Sequence, residues 1–426
     1  MSSKPKPNSV KGDGEPGLVP KLRFPAFRSA PAWDLKRGDA LFDAINNRSA
    51  APGLPVLAIT QEHGAIPRDH IDYHVSATAE SIATYKEVCV GDFIISLRSF
   101  QGGIEYSRFH GICSPAYVIL RRKGVGVDDY FRHLFKSARF IKQLNRNIEG
   151  LRDGKMISYA QFSEQLIPVP SPSEQRKIAD CLISLDEAIT TRVRKLDALG
   201  AHKRTLMQHL FPQDGQTVPR LRFPEFRDGP KWWTAPLGEA ADFQSGGTPS
   251  KSIAAFWNGT IPWVSAKDMK HLFLEDTEDH ITDEAIADGA KLVPPGTILI
   301  LTRGMTLLKD VPICLPRRPM SFNQDVRAVR PRDGSDGRYL AFLLVSRRER
   351  LMRLVDMAGH GTGRLDTDKL KAMDVSIPHP EEQTRVADCL ASLDATIAAE
   401  AAALDALKAH KHGLMQAMFP RPEEPS

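Results

Sequence analysis

"EQRKIADCLISLDEAI", Glu174 to Ile189, recurs 208 residues later as "EQTRVADCLASLDATI", Glu382 to Ile397. Each copy opens on a helix-start signal. In "SPSE", Pro172 lies in the first turn, and Ser171 and Glu174 have capping-box spacing. "HPEE" keeps Pro380 and Glu382 but has His379, a weaker cap, ahead of them. Each copy ends near "FP", where Pro212 or Pro420 cannot continue a helix. Between these limits the apolar residues repeat every seven positions. Ile178, Leu185, Leu199 and Leu206 form one row, interrupted by Arg192; Leu182, Ile189, Leu196 and Leu210 form the other, interrupted by Lys203. The second copy gives Val386, Leu393, Leu407 and Leu414 around Glu400, and Leu390, Ile397, Leu404 and Met418 around Lys411. A seam held over five heptads predicts a coiled coil, with rods of about 55 Å at 1.5 Å per residue.

The repeat extends beyond the helices. "VPKLRFPAFRSAPAW" from Val19 returns as "VPRLRFPEFRDGPKW" from Val218, and "KEVCVGDFIISLR" from Lys86 as "KLVPPGTILILTR" from Lys291. Tyr130 and Leu134 align with Tyr339 and Leu343, and "HKRTLMQHLFP" and "HKHGLMQAMFP" close the two units. Two copies of so long a unit make a duplicated domain rather than a solenoid. The expected division is a disordered tail over 1–18, a first variable domain over 19–170, a first helix over 171–212, a second variable domain over 213–378, a second helix over 379–420 and a tail over 421–426. The two helices are expected to pair antiparallel about an internal pseudo-twofold. Arg192 would then face Glu400 in a seam that includes Leu182, Leu185, Ile189, Leu196, Leu390, Leu393, Ile397 and Leu404.

Hydrophobic residues make up 42% of the 426, charged residues 26%, and the formal net charge is +5, values that fit a soluble protein and permit a nucleic-acid partner without requiring one. Five dispersed cysteines without a C-x-x-C pair argue against a disulfide framework or zinc ribbon. Cys181 and Cys389 read as small apolar residues beside the seam. The N-terminal stretch lacks a signal-peptide core and no apolar run reaches membrane-spanning length, so a cytoplasmic, non-membrane protein is expected.

Each variable domain reads as mixed α/β. "DFIISL", "AYVIL", "GTILILT" and "VRAV" have strand character; "YFRHLFKSARFIKQL" and "RYLAFLLVSRRERLMRLV" have helix character. No P-loop, H-E-x-x-H, G-x-S-x-G or base-methylation pocket motif occurs. Neither "GHGTG" (Gly359 to Gly363) nor "GVG" (Gly124 to Gly126) is expected to follow a strand directly and open a helix, and His70 with His74 is a weak metal signal. Neither catalytic nor metal-binding residues are assigned. The candidate DNA contacts lie at strand ends and in loops. Arg98 and Arg303 close aligned strands and lead to Gln101, Tyr106 and Lys309; Ser265, Lys267, Asn323 and Gln324 offer hydroxyl, ammonium and amide groups suited to bases or phosphates.

The chain resembles the specificity subunits of type I restriction-modification enzymes. "PLGEAADFQSGGTPSKSIAAFWNGTIPWVSAKDM" is similar to the opening of one target-recognition-domain subtype, while "LPVLAITQEHGAIPRD" and "ISLRSFQGGIEYSRFHGICSPAYVIL" resemble another. "PSPSEQRKIADCLISLDEAI" and its copy resemble the family's repeated helices, and "LMQHLFPQ" its junction between units. The resemblance implies an α/β (α+β) protein with two target-recognition domains separated by a long antiparallel two-helix coiled coil. It implies a non-catalytic subunit that reads a bipartite site in double-stranded DNA. Two methyltransferase subunits carrying S-adenosylmethionine would dock on the helices, restriction/translocase subunits would join them, and this chain would hold no cofactor. Two other classes stand beside that reading: a self-contained DNA methyltransferase or nuclease, and a coiled-coil tether without sequence preference.

Overall fold

The computed structural model of the chain describes residues 18–48, 53–71, 82–146, 157–213, 215–332, 334–357 and 361–420. The expected tails, except Leu18, lie outside them, as do His74, Gly359 and His360. The chain forms two compact units, Met1–Val193 with Ala402–Ser426, and Arg194–Ala401. Two 39-residue helices, Pro172–Leu210 and Pro380–Met418, each contribute one half to each unit.

In the first unit a four-stranded antiparallel sheet runs in the order Phe42–Ile45, Val118–Arg122, Phe93–Ile95, Glu105–Tyr106. Its core is aromatic. The Phe42 ring meets those of Phe93, Phe131, Phe135 and Phe162 at 5.3–5.8 Å between centroids. The stretch predicted as one helix from Tyr130 is two, Asp128–Phe135 and Ala138–Asn145. Ser137 breaks it, its hydroxyl accepting the Phe140 N–H and restarting the helix as an N-cap. The first half of one long helix and the end of the other complete this core, with Ile178, Leu182, Met418 and Phe419 buried in it.

The second unit has a five-stranded sheet, Ala241–Ser245, Val326–Pro331, Ile298–Leu301, Ile313–Pro316, Phe273–Leu274. A four-stranded sheet contains Trp257–Val264 parallel to Met320–Phe322, and a three-stranded one joins Arg303–Gly304, Gly363–Leu365 and Val355–Met357. Met207, Leu210, Val386 and Leu390 enter its core from the two long helices.

The duplication is carried by four contacts that occur once in each unit. Arg23 and Arg222 form two-pronged ion pairs with Glu174 and Glu382, at 2.8 and 2.7 Å, with every side chain at most 10% exposed. Gln175 and Gln383 accept the N–H of Val127 and Asp336 and donate to the carbonyls of Pro170 and Pro378. Tyr130 and Tyr339, fully buried, donate to the carbonyls of Pro168 and Ser376 at 2.9 and 2.8 Å. Lys411 pairs with Asp186, and Lys203 pairs with Asp394 at 2.5 Å. The last two pairs link the long helices within each unit and are related by the 208-residue offset of the sequence repeat. Their existence explains both lysines that interrupt the heptads.

The Glu-Gln pair of the opening motif therefore fastens helix to domain. Ser171 does accept the Glu174 N–H at 3.3 Å, but the carboxylate expected to complete a capping box turns to Arg23 instead. All twenty positions of the heptad rows are buried or half-buried. Glu400 accepts an ion-pair hydrogen bond from Lys195 at 2.6 Å.

Candidate nucleic-acid interface

In the first unit, strand Phe93–Ile95 runs into a turn held by the Ser96 N–H on the Ser99 hydroxyl (2.8 Å) and the Arg98 N–H on the Ser96 hydroxyl (3.2 Å). Arg98 is thereby exposed at the head of the single helical turn Ser99–Gly102, which also exposes Gln101. The amide of Gln61, from the turn of the hairpin Leu57–Thr60/Gly64–Pro67, donates to the Arg98 carbonyl at 3.3 Å. Tyr106 is not in this group. It pairs with Phe93 across the sheet, its half-buried ring lies 5.1 Å from the Phe93 ring, and burial pushes its phenol upward.

In the second unit, Ser265 and Asn323 follow adjacent parallel strands, so their backbones leave one edge of the sheet together; the Asn323 N–H donates to the Val264 carbonyl at 3.0 Å. Their side chains serve local turns. The Ser265 hydroxyl donates to Asp268 at 2.8 Å, and buried Asn323 accepts the Asp325 N–H at 3.1 Å. Lys267 lies 2.9 Å from Asp279 and 3.1 Å from Glu278, which raise its pKa. Gln324 is exposed and bonded to the Thr248 hydroxyl. That bond and the Trp263 indole on the Gly247 carbonyl (3.0 Å) bring the "SGGTPS" loop to the same edge. Gly246 permits the approach: a Cβ there would lie 2.2 Å from the Asn323 carbonyl.

Thr302 ties this edge to the three-stranded sheet by two hydrogen bonds to the Asp325 carbonyl, at 2.7 and 2.9 Å. The next residue, Arg303, is exposed and stands directly opposite exposed Arg364 in the ladder. Like charges in register cost about 0.2–1 kcal/mol; here Asp356, opposite Arg364 on the other strand and paired with Lys369 at 2.7 Å, offsets part of it, and a bound anion would offset more. Met305 (67% exposed) follows Arg303, Met357 (75%) lies on the far strand, and Lys309 is exposed at the end of the short helix Met305–Leu308. Arg327 reaches the hydroxyls of Ser245 and Thr367 from the neighbouring sheet. An arginine pair flanked by exposed methionines can hold phosphate oxygens and press apolar groups against base edges.

Arg364, Met305 and Met357 escape the sequence reading. The signal for Arg364 lay inside "GHGTGRLD", whose glycines read only as an unfavoured cofactor loop. Its last glycine, Gly363, is needed in a strand, because a Cβ there would come within 2.6 Å of Leu307. His70, half of the weak metal signal, packs its ring against Phe109 at 5.9 Å.

Two mixed α/β units, each fastened to halves of two long heptad helices and each with polar groups on turns, define a duplicated two-domain protein. Residues 230–409 match the family described as "Type I restriction modification DNA specificity domain". The type I restriction enzyme EcoR124I/EcoR124II specificity subunit of Escherichia coli is 32% identical over 245 residues, 57% of this chain and 59% of that protein, so the match spans less than two thirds of the relative. The MjaVIII specificity subunit of Methanocaldococcus jannaschii is 25% identical over 335 residues, 73% of this chain and 74% of its own length. Among solved structures, the type I restriction-modification S subunit from M. genitalium aligns with a TM-score of 0.58 at 15% identity, covering 95% of this chain and 100% of that one. A chain from a study of assembly and conformational transition of the type I R-M system gives 0.57 at 18% identity, covering 92% of this chain and 98% of its own. The chain is thus similar in sequence to type I specificity subunits and similar in fold to solved ones. Among the described residues no helix is long and apolar enough to cross a membrane.

Proposed function

We propose that this chain is the DNA-recognition subunit of a type I restriction-modification system, directing catalysis carried by other subunits. Each α/β domain reads one half of a bipartite target, and the long helices set the spacing between the halves. The observation that carries this reading is a frame whose four fastening contacts repeat while, beside the aligned Arg98 and Arg303, unlike groups are presented in its two copies, Gln101 in one, Gln324 and Arg364 in the other. The domain limits given above, and a seam with Arg192 opposite Glu400, belong to the same proposal.

The proposed partners are two copies of a methyltransferase subunit binding S-adenosylmethionine, with restriction/translocase subunits added to that core. Support for two equivalent docking places comes from a duplicated apolar pair. Val19 and Leu22 are 54% and 41% exposed, and their counterparts Val218 and Leu221 are 41% and 42% exposed. The backbones of Leu22 and Leu221 are fixed by N–H bonds to the carbonyls of Ala417 and His209, so both copies present these side chains from a rigid base. Half-buried seam residues such as Ile189 and Ile397 leave further apolar surface for a partner helix.

Co-expression with a type I methyltransferase subunit, followed by mapping of methylated adenine in the host genome, tests the reading. A split motif with a fixed spacer is expected. Methyl transfer by the isolated chain would instead identify a self-contained enzyme. The absence of any motif, with no sequence preference in competition binding at moderate salt, would leave a tether.

A further inference from the structure

We propose that the first unit carries a zinc site formed by Glu87, Cys89 and His110. One donor atom from each, a carboxylate oxygen, the thiol sulfur and an imidazole nitrogen, lies within 4.8 Å of the other two. The ladder explains why they meet. Strand Lys86–Val88 pairs antiparallel with Gly111–Cys113, with Val88 opposite Gly111. Continuing that register by one residue sets Cys89 opposite His110, while Glu87, two residues before Cys89, shares its face. The same alternation turns Cys113 inward, where burial pushes its thiol up to about 12. Of the two cysteines on this strand pair, only Cys89 is presented as a ligand.

The surroundings resemble an outer shell. The Glu87 carboxylate accepts from the Asn47 amide, the Glu87 N–H donates to the Asn47 carbonyl at 2.8 Å, and the His110 Nε2 lies 2.8 Å from Glu87. Asn47 thus fixes one ligand from both its backbone and its side chain, as outer-shell partners do in metal sites. Arg121, ion-paired with Asp92 at 2.7 Å, is near enough to Cys89 for the two to interact electrostatically and would offset the charge a bound thiolate brings. A thiolate–imidazole–carboxylate set favours zinc over magnesium or calcium, which require oxygen ligands. Bond lengths of about 2.0–2.3 Å imply donor separations near 3.3–3.8 Å, within reach of side-chain rotation at these partly exposed positions. Three protein donors leave a fourth position for water or an incoming oxygen ligand.

The site is not part of the duplicated frame. In the second unit the aligned positions are Leu292 and Pro294, which cannot ligate a metal. The role that follows is local: the ion clips the ends of a two-stranded pair that packs on its own small core of Leu57, Val88, Ile94, Cys113 and Ile119. The proposal stands apart from the DNA-recognition reading, so failure of either leaves the other intact.

The test uses the untagged full chain, stripped with a chelator and titrated with zinc ion alone. One equivalent should be retained after gel filtration, with a rise in the melting temperature. Cobalt substitution should give the ultraviolet thiolate-to-metal charge-transfer band. Cys89→Ser and His110→Gln should each abolish the band, Asn47→Ala should weaken binding about 10- to 100-fold, and Cys113→Ser should keep the band. Substoichiometric retention by the wild-type chain, or a cobalt spectrum unchanged in the Cys89→Ser/His110→Gln double variant, overturns the proposal. Circular dichroism of each variant separates ligand loss from unfolding.

Discussion

At the scale of single residues, the arginines divide by what they already hold. Arg23 and Arg222 are consumed by buried carboxylates, whereas Arg303 and Arg364 face each other across a ladder. Removing one partner of a buried pair leaves an uncompensated charge, so Arg222→Ala should cost about 3–5 kcal/mol, read as an early chemical-denaturation transition. Arg303→Ala should leave stability unchanged or slightly improved, because it relieves like-charge repulsion, whereas Arg364→Ala also removes the cation that Asp356 faces across the other ladder and should be near neutral. In DNA binding by the assembled complex, each of these two should lower the slope of log affinity against log salt by about one. An unchanged slope in both would show that the pair does not meet phosphate. The sequence placed Arg303 at a strand end, but Arg364 enters only through a tertiary register that no local pattern encodes. For the same reason Ser265, Asn323 and Lys267 looked available in sequence, although Asp268, the Asp325 N–H and two carboxylates engage them.

At the scale of elements, the long helices were the most legible part because their period survives every exchange of side chain; Leu182 and Leu390 are buried in the cores of the two units. The interrupting charges were legible only as exceptions. Lys203 and Lys411 are reciprocal interhelical partners of Asp394 and Asp186. Lys203→Glu sets two carboxylates together and should cost about 1–2 kcal/mol at this half-buried position. Exchanging the pair, Lys203→Asp with Asp394→Lys, should recover most of the loss, and a double-mutant cycle on melting temperature measures the coupling. Under the proposed seam, Arg192→Glu alone should destabilise, whereas exchange of Arg192 with Glu400 should be tolerated. The helix Asp128–Phe135 adds a pH dependence. His133 is buried, its Nε2 accepts from Arg132 at 3.2 Å, and burial together with Arg132, Lys411 and Arg108 lowers its pKa to about 3. Asp186, 3.8 Å away, is already neutralised by Lys411 and does not hold a proton on the ring. The unfolded chain protonates this histidine near pH 6.5, so between about 6.5 and 3 the unfolded state binds more protons and stability falls as pH falls. At pH 5 the loss should reach about 2 kcal/mol. His133→Phe should flatten the melting-temperature profile between pH 7 and 5.

At the scale of the whole molecule, the frame repeats and, apart from the aligned Arg98 and Arg303, the proposed DNA contacts do not. Arg–Glu clip, Gln bridge, Tyr anchor and Lys–Asp pair occur once in each unit, so none of them distinguishes one half-site from the other. Under the proposed function, discrimination resides in what the frame carries between its fixed points. A chain in which residues 213–378 are replaced by 19–170 keeps the partners of every fastening contact, because Arg23, Gln175, Tyr130 and their counterparts make the same bonds. Both halves would then present Arg98 and Gln101 on the same turn. The expected result, read by mapping methylated adenine in cells that also express the methyltransferase subunit, is a symmetric split motif whose halves repeat one arm of the wild-type site as an inverted repeat. The spacer should stay within about one base pair, since the 39-residue helices are untouched. A motif that kept two unlike arms would place recognition in the helices or junctions instead, and would remove the reason for reading the two domains as independent halves.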